Sequence, residues 1–97
     1  MSYSAFCTFD LKGASSADYK NAYGDLEEIG LERVVVGSKR DVVIPTTSAY
    51  GTFDGSSVRS VMEHVRSGVQ GAFKARGFKS EIFVVVGENG TWGSTTT

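Results

Sequence analysis

The chain has 97 residues, of which 40% are hydrophobic and 22% charged, and its formal net charge at pH 7 is −1. This length is that of one domain, and the near-neutral charge excludes a protein held on nucleic acid or anionic lipid mainly by its overall field. A single cysteine and a single histidine exclude an internal disulfide and a zinc cluster of thiolates and imidazoles.

Neither a membrane span nor a secretory signal is predicted. No apolar run approaches the roughly 18 residues that a transmembrane helix needs. Residues 1–6 lack the basic and apolar regions of a signal peptide. We therefore expect a cytoplasmic protein with no membrane partner.

The sequence also has no phosphate-binding glycine loop, so we expect no organic cofactor.

Charge is distributed unevenly along the chain. Residues 1–32 contain six acidic and two basic side chains, whereas residues 33–80 contain eight basic and three acidic ones. Local basic patches that contact phosphate can form in the middle of the chain, although a charge-rich helix is more often just a solvated face.

The first two elements are a strand and a helix. Residues 3–11 alternate between apolar and other side chains, which predicts a half-buried strand, and Gly13 ends that run. Ser15 or Ser16 is typical of a helix start. Apolar residues then recur at helical spacing up to Gly30, which predicts a left-handed C-terminal cap.

Two further strands are predicted in the middle of the chain. Residues 32–37 are rich in β-branched side chains, and after a turn at 38–41 the chain extends again over 42–53. Pro45 prevents the beginning of this second run from pairing as a central strand. We therefore expect regular pairing over 47–53 and an irregular insertion before it.

A second helix follows, with one apolar stripe between a serine cap at Ser56 or Ser57 and a stop at Gly77. Gly68 and Gly71 inside this helix each cost about 1 kcal/mol relative to alanine. We expect a close approach of the helix to the sheet, or a kink, at these two positions.

The last clear strand is predicted at 81–86, followed by a turn at 89–90 and a brief extension at 91–92. Residues 93–97 are expected to be frayed. The predicted organisation is therefore a single domain over 1–92 with a short tail.

The element order predicts an α+β ferredoxin-like βαββαβ sandwich, with room for a short extra C-terminal strand. Right-handed crossovers place both helices on one face of a four-stranded antiparallel sheet. Phe6, Tyr50, Phe83 and Val85 then form an apolar patch on the other face. We expect a second copy of the chain to cover this patch, because two-fold homodimers are the commonest soluble assembly. Trp92 either joins that interface or packs on its own domain.

Asp10 is the candidate catalytic residue. It ends an apolar strand, and in the predicted sheet its side chain would point away from the helices. In a two-fold dimer, two such carboxylates can approach each other and hold a divalent metal ion that activates water for phosphodiester cleavage.

The chain also resembles a known group of proteins. The run Cys7-Thr8-Phe9-Asp10-Leu11, with Tyr19, Tyr23, Leu26, Gly30 and residues 34–38, resembles the beginning of the Cas2 and VapD group of small ferredoxin-like nucleases. Thr8-Phe9-Asp10, the Ile44-Pro45 step and the strand at 50–53 are similar to GhoS, an antitoxin endoribonuclease with a Cas2-like fold.

This resemblance implies a homodimer with metal-dependent endoribonuclease activity, of the toxin–antitoxin or phage-defence type. Asp10 would be the ligand of Mg²⁺ or Mn²⁺. Ser38, Lys39 and Arg40 would contact the phosphates of a bound RNA.

Two other functions are compatible with the sequence. Phe6 and Tyr50 occupy positions at which sheets of this topology stack RNA bases, so the protein could bind RNA without cleaving it. Alternatively, the open face is the interface of a non-catalytic dimeric interaction module. In both cases Asp10 is a solvated carboxylate at the end of a strand.

Overall fold

The computed structural model describes residues 2–36, 41–88 and 92–96. These residues form two helices and five strands. In chain order they are β1 (Ser2–Leu11), α1 (Ser16–Ile29), β2 (Val34–Val36), β3 (Asp41–Val43), β4 (Ser48–Asp54), α2 (Val58–Ala75) and β5 (Ser80–Glu88). The predicted α+β class, its two helices and its antiparallel pairing are confirmed.

The main sheet contains three antiparallel strands in the order β4-β1-β5. Its register pairs Phe6 of β1 with Tyr50 of β4 and with Val85 of β5. The alternation predicted for the first strand is confirmed, because the odd-numbered side chains of β1 are buried against the helices. These buried residues are Tyr3, Ala5, Cys7, Phe9 and Leu11.

Both helices begin with the predicted serine caps. The Ser15 hydroxyl accepts a hydrogen bond from the Asp18 N–H, and the Asp18 carboxylate accepts one from the Ser15 N–H. Ser57 and Ser60 form the same reciprocal pair at the start of α2. Gly30 ends α1 in the left-handed conformation, at φ 107°, as its position in the sequence predicts.

The core lies between the helices and one face of the main sheet. Phe73 of α2 is fully buried. Its ring meets the edges of Phe9 and Phe78, with centroid separations of 5.2 and 5.8 Å. The two helices are also tied together by paired hydrogen bonds from the Arg76 guanidinium to the Asp25 carboxylate. This packing leaves the opposite face of the sheet free of helices.

The middle of the chain differs from its prediction in part. β4 confirms the regular pairing predicted over 47–53. The chain before it forms β3, which pairs with β2 as a separate two-stranded sheet. Pro45 has no N–H to pair, and Thr47 has a φ of 63° that takes the chain out of the extended conformation. The predicted four-stranded sheet is therefore replaced by a three-stranded and a two-stranded sheet.

The C-terminal region also departs from its prediction in detail. β5 continues to Glu88, beyond the end predicted for the last strand. Trp92 belongs to no strand, and the other residues of the predicted turn and extension, 89–91, lie outside the described residues. Within the described ranges, no helix is long and apolar enough to cross a membrane.

Candidate functional site

The open face is the side of the main sheet that points away from the helices. It carries Phe6, Thr8 and Asp10 of β1 with their cross-strand partners on β4 and β5. Large apolar side chains on it are exposed, since 38% of Phe6, 62% of Phe83 and 50% of Val85 is accessible to solvent. The structure thus places three predicted interface residues on one surface.

Part of the open face is covered by the chain itself. Phe6, Tyr50 and Trp92 line one small cavity of about 160 Å³ together with residues of the β2–β3 region, namely Val35, Val42, Ile44 and Pro45. Trp92 lies beside these residues of its own chain, and 38% of it remains exposed. The β5 side, with Phe83 and Val85, remains exposed.

Asp10 lies exposed near the end of the open face. Glu81 of β5 is its direct partner in the antiparallel register. Lys12 and Lys79 are also opposite each other, and the Lys12 N–H donates a hydrogen bond of 2.9 Å to the Lys79 carbonyl. Because hydrogen-bonded and non-hydrogen-bonded pairs alternate along antiparallel strands, Asp10 and Glu81, two positions away, are again a hydrogen-bonded pair, with Cα atoms about 5.5 Å apart. Two carboxylates of one chain therefore stand side by side.

A cavity of about 470 Å³ adjoins this pair. Its walls are formed by residues of β1 and β5 and by the loop before β4, namely Thr8, Phe9, Asp10, Thr47, Glu81, Ile82 and Phe83. The cavity combines oxygen-bearing side chains with one exposed aromatic ring. Such a surface can accommodate a polar group and a flat ring together.

Thr47 forms a fixed wall of this cavity. Its carbonyl accepts hydrogen bonds from the Phe9 N–H at 2.9 Å and the Thr8 hydroxyl at 3.0 Å. Its own N–H donates to the Tyr23 hydroxyl on α1. These three contacts hold a β-branched residue at a positive φ, a conformation that costs about 1–3 kcal/mol. The loop position beside Asp10 is therefore specified by the surrounding structure.

The carboxylate oxygens of Asp10 and Glu81 are of the donor type that hard divalent cations prefer. The described residues contain no group of three or more His, Cys, Asp or Glu side chains arranged to hold a metal ion. Mg²⁺ needs fewer, because it commonly keeps several waters and binds through one or two carboxylates. Lys12 lies 3.4 Å from Glu81, but both groups are exposed, so this ion pair is weak and exchangeable.

Cys7 and His64 do not line the cavity beside Asp10. Ser38, Lys39 and Arg40, the predicted phosphate contacts, lie outside the described residues. Cys7 is buried, and desolvation raises the pKa of its thiol to about 11, which keeps it protonated and unreactive at neutral pH. His64 packs beside Phe53, with ring centroids 6.2 Å apart. Of the described candidates, Asp10 keeps an exposed carboxylate, and Glu81 lies opposite it.

Sequence reasoning missed Glu81 and Thr47 as site residues. Glu81 could have been identified by assuming that the first and last strands pair antiparallel, which sets Asp10, near the end of the first strand, opposite the beginning of the last. No sequence signal marks Thr47.

Comparison of the chain with protein-family models, with curated proteins and with solved structures finds no match.

Proposed function

We propose that this chain is a cytoplasmic, nucleic-acid-associated homodimer of the Cas2, VapD and GhoS kind, and a metal-dependent endoribonuclease. The observation that carries the proposal is the position of Asp10. Its exposed carboxylate stands opposite Glu81, at one end of the open face and beside a cavity of about 470 Å³.

The strand topology supports this kinship. Backbone hydrogen bonds of 2.8 and 2.9 Å join Glu32, just before β2, to Tyr50 of β4 in an isolated bridge. If this bridge is counted as a strand contact, the order becomes β2-β4-β1-β5. This is the order of a ferredoxin-like sheet, and β3 is then an insertion that pairs with β2.

The proposed chemistry is hydrolysis of a phosphodiester bond. Asp10 and Glu81 would hold Mg²⁺ or Mn²⁺ through their carboxylate oxygens. Such an ion, when bound, lowers the pKa of a coordinated water and stabilises negative charge on phosphoryl oxygens. In the reaction, water adds its hydroxyl to phosphorus and its proton goes to the ribose oxygen that leaves.

The chain's own residues would position the RNA. Phe83 presents an exposed ring beside the cavity, on which a base can stack. Thr8 and Thr47 supply further oxygen atoms along the same wall. Ser38, Lys39 and Arg40 remain the proposed contacts to phosphate. The overall charge of −1 makes such local contacts necessary for RNA binding.

A second candidate is RNA binding without cleavage. It is favoured by the direct cross-strand pairing of Phe6 with Tyr50 on the open face, because aromatic residues on neighbouring central strands are a common platform for unpaired bases. Phe6 is 38% accessible and Tyr50 is only partly exposed, whereas Phe83 is 62% accessible, so these two rings offer less surface than Phe83 does.

Metal removal tests the proposal. End-labelled RNA of mixed sequence is incubated with the native protein in Mg²⁺, in Mn²⁺ and in EDTA. We expect cleavage with either metal, loss of cleavage in EDTA, and recovery when Mg²⁺ is added in excess. RNA that is retained by the protein but stays intact in every condition would favour the binding function. RNA that is neither cleaved nor retained would contradict both.

A further inference from the structure

The outer edge of β5 is a free hydrogen-bonding surface. β5 is nine residues long and pairs on one side with β1, while in the described part of the chain no strand lies along its other side. It contains no proline, and no charged residue stands between Glu81 and Glu88. Natural proteins usually protect such edges, and an unprotected one is a template for another strand.

The backbone alternation decides which residues face outward. The Lys79 carbonyl accepts a hydrogen bond from Lys12, at the end of β1. Because the direction alternates along a strand, the backbone N–H and C=O groups of the odd-numbered residues of β5 point toward β1. The backbone N–H and C=O groups that point away from the sheet are those of Ser80, Ile82, Val84, Val86 and Glu88. Any further strand must therefore bond to the even-numbered residues.

We propose that this edge pairs with β5 of a second copy, antiparallel and across a two-fold axis at Val84, so that two main sheets join as one six-stranded sheet. In this register Ile82 is opposite Val86 of the second copy, and Phe83 is opposite Val85. The proposal rests on the homodimer in the proposed function and is independent of the cleavage chemistry.

Side-chain complementarity selects this register. Phe83 meets a β-branched valine twice, a favourable cross-strand pair. Glu81 is opposite Gly87 of the second copy, so no like charges face each other.

The neighbouring registers are worse. An alternative register must differ from this one by two residues. Only then do the even-numbered residues still form the hydrogen bonds and the open faces of the two copies still lie on the same side of the joined sheet. One shift places Glu81 against Val85 of the second copy, and the other places Ile82 against Glu88. Each shift thus sets a carboxylate against an apolar side chain at two symmetric positions, which leaves the register at Val84 as the best matched.

The pairing brings two exposed side chains together. Phe83 and Val85 are 62% and 50% accessible in the single chain, and across the interface they would contact each other side by side while both remain on the open face. With strands about 4.8 Å apart and a rise of about 3.3 Å per residue, the two Asp10 residues lie about 25 Å apart. Each copy then keeps its own Asp10–Glu81 pair, and both pairs lie on one continuous face.

Cysteine cross-linking tests the register. Phe83→Cys and Val85→Cys proteins are oxidised separately and as a mixture, without metal or RNA. The native Cys7 does not interfere, because it is buried. In the proposed register, residues 83 and 85 of different copies are within disulfide reach, whereas identical residues are about 8 Å apart. We expect the mixture to cross-link at least about tenfold faster than either protein alone.

Sedimentation of the native chain gives the second readout, with a dimer of the 10.4 kDa chain expected. A monomer at the cross-linking concentration, or either single variant reacting as fast as the mixture, would overturn the edge pairing. Because no RNA is present, these failures leave the Asp10 chemistry untouched. Conversely, a chain that cross-links as expected but never cleaves RNA would refute only the proposed function.

Discussion

Replacement of Asp10 by alanine is expected to lower the rate of RNA cleavage at saturating Mg²⁺ by about 100-fold or more, because a metal ligand contributes several kcal/mol of transition-state stabilisation. The Asp10 side chain is exposed. Its removal also relieves a like-charge pair with Glu81. The variant should therefore unfold at the same urea concentration as the native protein. Its loss of activity would then come from the missing carboxylate and not from unfolding.

Asp54→Ala is the matched control for this experiment. Asp54 is also an exposed aspartate at the end of a strand, and its partner in β1 is Ser2, at the opposite end of the sheet from Asp10. We expect cleavage by Asp54→Ala to match that of the native chain. Equal rates for the Asp10 variant, the Asp54 variant and the native protein would refute the catalytic role of Asp10.

Gly51→Ala should give the largest loss of stability, about 3 kcal/mol in the free energy of unfolding measured with urea. A methyl group on Gly51 would overlap the backbone carbonyl oxygen of Gly30 and crowd the ring of Phe53. Gly30 is the left-handed cap of α1, so neither backbone can move without disturbing the junction between this helix and β4.

Gly71→Ala provides the opposite case. The space around Gly71 on α2 is empty within 4 Å of an added methyl group, and alanine is the better helix former. We expect this variant to gain about 1 kcal/mol. If the Gly51 variant were as stable as the native protein, the close approach of β4 to Gly30 would be wrong.

Local rules predicted much of the fold. The alternation along β1, the serine caps of both helices and the glycine cap of α1 all follow from side chains within a few residues of one another. The break between β3 and β4 was only half predicted. Pro45 indicated irregular pairing, but the positive φ of Thr47 is held by contacts to Tyr23 and to β1, which the local sequence does not reveal.

The glycines show the same limit. Gly71 was expected to mark a close approach or a kink, yet its surroundings are open, and Gly68 faces Ile29 of α1 instead of the sheet. The tight contact is at Gly51, where β4 meets the end of α1, and it depends on tertiary packing. Similarly, Asp10 could be proposed from its position in one strand, whereas Glu81 needs the register of two distant strands.

Manganese binding in the absence of RNA tests the central claim most directly. The claim is that Asp10 and Glu81 of one chain form the metal site. Electron paramagnetic resonance of free Mn²⁺ gives the number of ions bound per chain for the native protein and for Asp10→Ala and Glu81→Gln. One ion per native chain, with binding weakened in both variants, is the predicted result. No binding by the native chain, binding unchanged in the variants, or one ion shared by two chains would contradict it.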